Sequence, residues 1–455
     1  MKFIADLHLH SKYSRATSRE LDIKHNAQWA KWKGIQVVGT GDFTHPQWLI
    51  DLKNDLEPDP NHEGLFQIKD EKYRNELGGD NAPKFLLSTE TSHIYKQDNI
   101  LHRIHIVTFV PDFETVEKIQ QKLVELGVNI SSDGRPIMGL SCPEYMDVIL
   151  TINEDCLIIP AHIWTPWFSL FGSMSGFNKL EDCFQEFSPF IYPIETGLSS
   201  DPIMNWRIKE LDNRSIISFS DAHSPAKSGR EVTVFNSELS YFGISEAIKS
   251  PNNYADPNAT NKIISTIEFY PEEGKYHYTG HRNCLLKQSP VETARDGYIC
   301  PSCGKKFTLG VMHRVEQLAN RKVDPSALNI THDEASVKWI NTPKGLRPPY
   351  CMIVPLPEII AEVEGVADST KKVDAIFQKI VTTCGSEFQF LLETPLEEIK
   401  SQFGEKMADA IRRVRSGNIT VDPGYDGEFG KVKIFSETDS QQIKETSKQT
   451  DLFTE

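Results

Sequence analysis

Short apolar runs recur through the first 250 residues, each ending in polar or charged positions. They fall at 3–9, 35–40, 84–89, 103–110, 156–160, 190–195 and 214–219, and each has the length of a strand. Helical spacing fills the intervals. In 22–33, Ile23, Ala27 and Ala30 with Trp29 and Trp32 surround one face; in 113–126, Val116, Ile119, Leu123 and Leu126 recur at three- and four-residue steps. Alternating strands and helices predict an α/β fold with parallel strands. Seven or eight such units in this length fit a barrel of the (β/α) type.

The periodicity then changes. Pro and Asn thicken at 251–261 and predict a boundary. A segment to about residue 345 follows, with cysteines near its middle and little regular patterning. From 346 the pattern is helical, over Leu356 to Val363, Val373 to Val381 and Ala408 to Val414. Pro423-Gly424-Tyr425-Asp426-Gly427 closes the ordered part with turn residues, and the polar, charged stretch 436–455 predicts disorder. The expected organisation is a barrel at 1–250, a small module at 251–345, a helical domain at 346–435 and a tail at 436–455.

The ends of the predicted strands carry the chemistry. Asp6, His8 and His10 lie at alternate positions and share one face. The second strand is followed by Asp42 and His45; the third runs into Glu90; the fourth contains His105. The remaining three lead to His162, to Glu195, and to Asp221 and His223. A barrel gathers its strand ends on one face, where catalytic groups converge. Seven strands each delivering His, Asp or Glu there predict a metal centre, with more ligands than one ion needs. Imidazole suits Zn, Mn or Fe, and carboxylate suits these and Mg; paired ions suit phosphoester hydrolysis. Trp164, Trp167, Phe168 and Phe171 crowd the segment after His162, and rings at a metal face can stack on a base or simply pack as a lid. Arg15, shortly after the His-x-His, can bind a substrate phosphate or form a surface salt bridge. Glu195 and Ser199, in the run Glu195 to Asp201, are candidates for positioning substrate.

Composition refines the picture. A formal charge of −15 argues against a protein that binds nucleic acid by bulk charge alone. The charge is segregated, however: Lys305, Lys306, Arg314, Arg321, Lys322, Lys338, Lys344 and Arg347 face only Glu316, Asp324, Asp333 and Glu334 in the same stretch. Eight cysteines in 455 residues do not make a disulfide framework. His281-x2-Cys284 and Cys300-x2-Cys303 have the spacing of a four-ligand structural zinc site, followed by basic residues that would lie near phosphates. No apolar run has bilayer length and residues 1–10 lack the features of a signal peptide, so we expect a cytoplasmic protein.

His8-x-His10, Asp42, Glu90, His105, His162 and Asp221-x-His223, in that order, resemble the polymerase-and-histidinol-phosphatase (PHP) superfamily. The resemblance implies a distorted (β/α)7 barrel with a two- or three-metal phosphoesterase site. In it, His8, His10 and Asp221 would hold one ion, Glu90 would bridge, His105 and His162 would hold a second, and His223 would reach a third. Two positions depart from the pattern. Arg15 stands where many members have an acidic residue or histidine, and Phe43 stands where many have the histidine of Thr-Asp-His, so that His45 would have to substitute.

Within that superfamily, the barrel, zinc module and helical end together resemble the endonuclease Q family. The runs His10 to Ser18, Val38 to Pro46, Gly280-His281-Arg282 and Pro423 to Gly427 carry the match. It implies a metal-dependent DNA-repair endonuclease that cleaves 5′ to a deaminated base (uracil, hypoxanthine, xanthine) or an abasic site. Asp221, Glu90, Asp42 and Arg15 would be catalytic, Zn would fill the structural site, and Zn, Mg or Mn the barrel. Gln449-Thr450-Asp451-Leu452-Phe453 resembles the short motif by which repair proteins hook a sliding clamp, through Gln449, Leu452 and Phe453. The competing expectations are a phosphatase or exonuclease on small phosphoesters or DNA ends, and a non-catalytic clamp-associated adaptor.

Overall fold

The computed structural model describes residues 1–435. The expected tail and its clamp-binding residues Gln449, Leu452 and Phe453 lie outside the described residues.

The chain forms a mixed α/β fold around one large sheet. β1 (Lys2–Asp6) leads into helix α1 (Ile23–Lys33), whose start is capped by Asp22 and whose end is turned by Gly34 at φ 87°. β2 (Val37–Gly39) is followed by α2 (Pro46–Asp55), then by a small antiparallel hairpin, β3 (Leu56–Pro58) and β4 (Phe66–Ile68). The long β5 (Lys84–Gln97) and β6 (Ile100–Val110) come next, with β7 (Ile137–Met138) beside β5. β8 (Leu157–Pro160), β9 (Pro193–Glu195), β10 (Ser215–Ile217), β11 (Val232–Asn236) and β12 (Lys262–Glu268) complete the part that frames the site.

β1, β2 and β5 are parallel neighbours, as the alternating pattern predicts. β6 is not: it runs antiparallel to both β5 and β8. The reason lies in Asp98 and Asn99, which both take left-handed backbone (φ 52° and 63°) between paired Gln97 and Ile100. Two such residues make the tight turn that matches strand twist, so the chain folds straight back instead of crossing over through a helix. The reversal has a chemical consequence. His105 lies in the first half of β6, yet the reversed strand brings it to the end where the other strands deliver their side chains.

β9 and β10 pair in parallel as a separate two-stranded sheet. Single hydrogen bonds carry the succession onward: the Ile163 N–H donates to the Glu195 carbonyl at 3.2 Å, and the His10 N–H donates to the Ala222 carbonyl at 3.2 Å. Phe3, Ala5, Leu7, Val37, Leu86, Val107, Phe109, Leu157, Ile159, Ile217 and Phe219 are buried together between these strands. Alternation thus sends Phe3, Ala5 and Leu7 into this cluster; Asp6, on the other face, accepts from the Ser220 and Gly229 N–H groups, and His8 and His10 beyond β1 reach the ligand group.

The boundary expected at 251–261 does not end the sheet. β12 pairs with β11 on one side and with Tyr350–Met352 on the other, so residues on both flanks of the cysteine-bearing segment belong to the central sheet. Much of the basic run is engaged internally. Arg314 donates to the carbonyls of Phe171 and Phe177, and Arg321 and Arg347 share Asp212. Helices Leu356–Glu364, Lys371–Cys384, Glu387–Leu392, Leu396–Phe403 and Glu405–Ser416 form the C-terminal part. They dock on α1 through the buried Lys33–Glu387 ion pair at 2.6 Å and the Trp29–Phe377 ring contact at 5.5 Å. Among the described residues no helix is long and apolar enough to cross a membrane.

Candidate metal centre

Glu90, midway along β5 and opposite Val107 of β6, is 1 % exposed and shared by two groups of ligands. His8, His10, Glu90 and Asp221 form one; Glu90, His105 and His162 form the other; within each group the ligand atoms lie within 4.8 Å of one another. Glu90 Oε1 is 2.7 Å from His105 Nδ1 and 3.0 Å from His162 Nε2, while Oε2 is 3.3 Å from His10 Nε2. His10 Nε2 also lies 3.1 Å from Asp221 Oδ1. Asp42, His162 and Asp221 take left-handed backbone, at φ 47°, 31° and 47°. Such conformations are costly for non-glycine residues and gather where a side chain must be aimed.

Two buried carboxylates aim the imidazoles. Glu195 accepts from His8 Nδ1 at 2.9 Å and from the His162 backbone N–H at 2.8 Å. Asp42 accepts from His10 Nδ1 at 3.1 Å, from the Ser11 N–H at 2.6 Å and from the Ser14 hydroxyl at 2.9 Å. With Nδ1 of both rings committed, Nε2 is the free ligand atom in each. His8 Nε2 is buried and has no hydrogen-bond partner, which is costly for a polar atom unless a cation takes it. Neutral imidazole nitrogens and carboxylate oxygens converging on such an atom fit divalent ions of the Zn, Mn or Mg type. Gly134 closes the outside of Asp42: a Cβ there would stand 2.3 Å from Asp42 Oδ2.

The carboxylates draw positive charge into the site: burial disfavours charged imidazoles, but Glu195 raises His8 and Asp42 raises His10 well above the ordinary histidine value, and Glu90 raises His162. Burial disfavours the ionised carboxylate, but His105 and Arg135 outweigh it and hold Glu90 well below its ordinary range. Asp221 is likewise held low, where burial is outweighed by His10 and His8. Burial and the nearby Arg135 and His162 bring His105 down to about 4 despite Glu90, keeping it a neutral ligand.

Several expectations from the sequence need correction. Asp42 is outside both ligand groups and acts on His10 instead. His45 does not stand in for the missing histidine: its Nδ1 accepts from the Trp48 N–H as the cap of α2, its Nε2 donates to the Ser131 carbonyl, and its ring stacks on Tyr13. Glu195 is fully buried behind His8 and His162, out of reach of substrate. Trp164 and Phe171 are core residues, the first with its indole N–H on Asn205. Trp167 and Phe168 are half-buried; the Phe168 ring is 4.7 Å from His105, whereas the Trp167 ring lies 5.3 Å from that of Tyr276. Ser199 is also half-buried, in the turn after Glu195. His223 is 37 % exposed; its ring centroid lies 4.6 Å from that of His10, outside both groups. Arg15 is 74 % exposed and rests 3.3 Å from Asp133.

Arg135 was not legible from the sequence. Its Nη1 is 2.9 Å from Glu90 Oε2, so a fixed cation sits on the shared carboxylate. The only local sign is its place in the turn-forming run Gly134-Arg135-Pro136. Away from this centre, His281, Cys284, Cys300 and Cys303 converge as a four-ligand group. There desolvation pushes the Cys300 thiol up, while the N–H groups of Ser302 and Cys303 outweigh it and bring the thiol down to about 6.

The chain's likeness to known proteins bears on these sites. Residues 355–418 match the family model of the MJ0043 C-terminal domain. An uncharacterized protein of Methanocaldococcus jannaschii, MJ0043, is 32 % identical over 282 residues, covering 60 % of this chain but only 31 % of that protein's length. The uncharacterized Bacillus subtilis protein YqxK is 28 % identical over 95 % of this chain and 99 % of its own. Among solved structures, the lesion-specific endonuclease PfuEndoQ from Pyrococcus furiosus is 30 % identical, covers 96 % of each chain and superimposes with a TM-score of 0.77. The chain belongs to the endonuclease Q family. It is accordingly a metal-dependent nuclease. A second endonuclease Q structure, solved with a 27-mer duplex bearing an abasic lesion at its active site, is 29 % identical with a TM-score of 0.77, over 96 % of this chain and 98 % of that one.

Proposed function

We propose that this endonuclease Q is a cytoplasmic DNA-repair enzyme that hydrolyses the phosphodiester 5′ to a deaminated base (uracil, hypoxanthine or xanthine) or an abasic site. The observation that carries the reading is the Glu90 carboxylate shared between two ligand groups. Divalent ions in such a pair supply Lewis acidity at the phosphoryl oxygen and an activated water. His8, His10 and Asp221 would hold one ion, His105 and His162 another, and Glu90 both. Asp42 and Glu195 fix the tautomers of His10 and His8 so that Nε2 faces the ion. Arg135 keeps Glu90 ionised. Arg15, exposed although its partner Asp133 is buried, can exchange Asp133 for a DNA phosphate.

The DNA-bound relative supports DNA as the partner. Extruding the target nucleotide costs least where a base is mispaired or missing, which favours the lesions named. We read the succession of seven strands around the site as a distorted PHP barrel. His281, Cys284, Cys300 and Cys303 we read as a structural zinc site in the module inserted before Tyr350–Met352. The C-terminal tail is proposed to reach a sliding clamp.

Asp221→Asn tests the reading. It should lose nicking of abasic-site DNA by at least about a hundredfold, with metal content in the purified protein reduced. Full nicking with unchanged metal content would overturn it.

A further inference from the structure

A cavity of about 600 Å³ lies apart from the metal centre, at the other end of β10. Ser215 and Ile216 line it at the start of this strand, whereas Asp221 stands beyond its end. At roughly 3.3 Å per residue, six residues of chain separate the two sites by up to about 20 Å. The volume lies in the range of small-molecule sites.

The charge of the lining runs against that of the protein. Arg214, Arg321, Lys322, Lys344 and Arg347 border the cavity, in a chain of formal charge −15. Only Asp212 and Asp324 oppose them there. Asp212 is divided between two guanidinium groups, with Arg321 Nη1 at 2.9 Å and Arg347 Nη2 at 3.2 Å. Asp324 is taken up by the N–H and hydroxyl of Ser326. Lys322 and Lys344 form no ion pair among the described residues. Arg214 donates from Nη2 to the Ser188 carbonyl at 3.1 Å, and its Nε is buried with no hydrogen-bond partner. A desolvated guanidinium with an open N–H costs free energy that an anion seated beside it would recover.

The remaining wall mixes Trp206, Tyr254, Ile263 and Pro348 with Ser215, Asn252 and Thr266; Trp206 is nearly buried and Tyr254 half-buried. Aromatic faces suit a planar heterocycle, and an Arg and Lys rim suits phosphate oxygens. We propose that this cavity binds a mononucleotide, the base against Trp206 and Tyr254 and the phosphate at Arg214 and the lysines. The site is separate from the nuclease centre.

Calorimetric titration of the full-length, metal-loaded protein with AMP, GMP, UMP and inorganic phosphate tests this. At least one nucleotide should bind one-to-one with a Kd below about 100 µM, at least about tenfold tighter than phosphate alone. Arg214→Met and, independently, the exposed-rim variant Lys344→Ala should each weaken binding at least about fivefold. Asp221→Asn should leave it unchanged. No nucleotide binding at millimolar concentration, phosphate binding as tight as nucleotide, or binding lost in Asp221→Asn and kept in both cavity variants would each overturn the proposal. Nicking of lesion DNA is a separate readout, so failure here leaves the nuclease reading intact.

Discussion

Arg135 places a guanidinium nitrogen 2.9 Å from Oε2 of Glu90, the carboxylate shared by both ligand groups. The pair fixes a positive charge on the carboxylate that both groups share. Arg135→Met should therefore lower nicking about tenfold to a hundredfold while leaving bound metal at least as resistant to chelator, because Arg135 and the ions compete for Glu90. Arg135→Lys should restore part of the rate. Single-turnover nicking alongside metal analysis of both variants checks this; wild-type nicking in Arg135→Met would show that the pair is only structural.

Glu195 and Asp42 do their work through the histidines they orient. Glu195→Gln and Asp42→Asn should each weaken metal binding about tenfold to a hundredfold without unfolding the protein. Chelator competition followed by thermal melting of the metal-loaded protein separates the two effects.

The Lys33–Glu387 pair is almost wholly buried and ties α1 to the C-terminal helices. Lys33→Met leaves the Glu387 carboxylate uncompensated and should destabilise by about 3–5 kcal/mol. Glu387→Gln added to it should recover most of the loss, since the glutamine oxygen can still accept from the Leu356 N–H. Urea unfolding of the single and double variants is the measurement.

Burial pushes His93 down to about 4, with Nδ1 donating to the Leu140 carbonyl and Nε2 paired with the Thr91 hydroxyl. The unfolded chain takes up this proton near pH 6.5, the native state only near 4. Stability is thus full above about pH 6.5 and falls as pH drops toward 4, by up to roughly 3 kcal/mol. His93→Gln should remove that share of the slope between pH 7 and 4.5 in urea melts. An unchanged slope would assign the acid sensitivity to other groups.

The ligands at strand ends were legible because a strand end is visible as an apolar run that stops at His, Asp or Glu. His8, His10, Glu90, His162 and Asp221 follow that rule, His105 instead lies within its apolar run, and the structure brings all six together. What was hidden is partly local and partly dependent on partners distant in sequence. His45 reads as a ligand until Pro46 is recognised as the first residue of a helix that it caps. Glu195 reads as a substrate group until its burial behind His8 is seen. Trp164 and Phe171 read as a stacking surface but fill the core, because an aromatic-rich loop can fold inward as readily as out. Asp98-Asn99 held the signal for the reversed strand, and the parallel pattern around it masked a turn that was there to be read.

The Glu90-centred ligand groups should cut DNA internally at a lesion. This is tested most directly with an end-blocked duplex carrying one abasic site or uracil, incubated with metal-loaded protein and resolved at nucleotide resolution. One nick is expected, on the 5′ side of the lesion, leaving a 3′-hydroxyl and a 5′-phosphate, and abolished by chelator and by Asp221→Asn. An intact end-blocked duplex, with digestion only when the ends are opened, would contradict it.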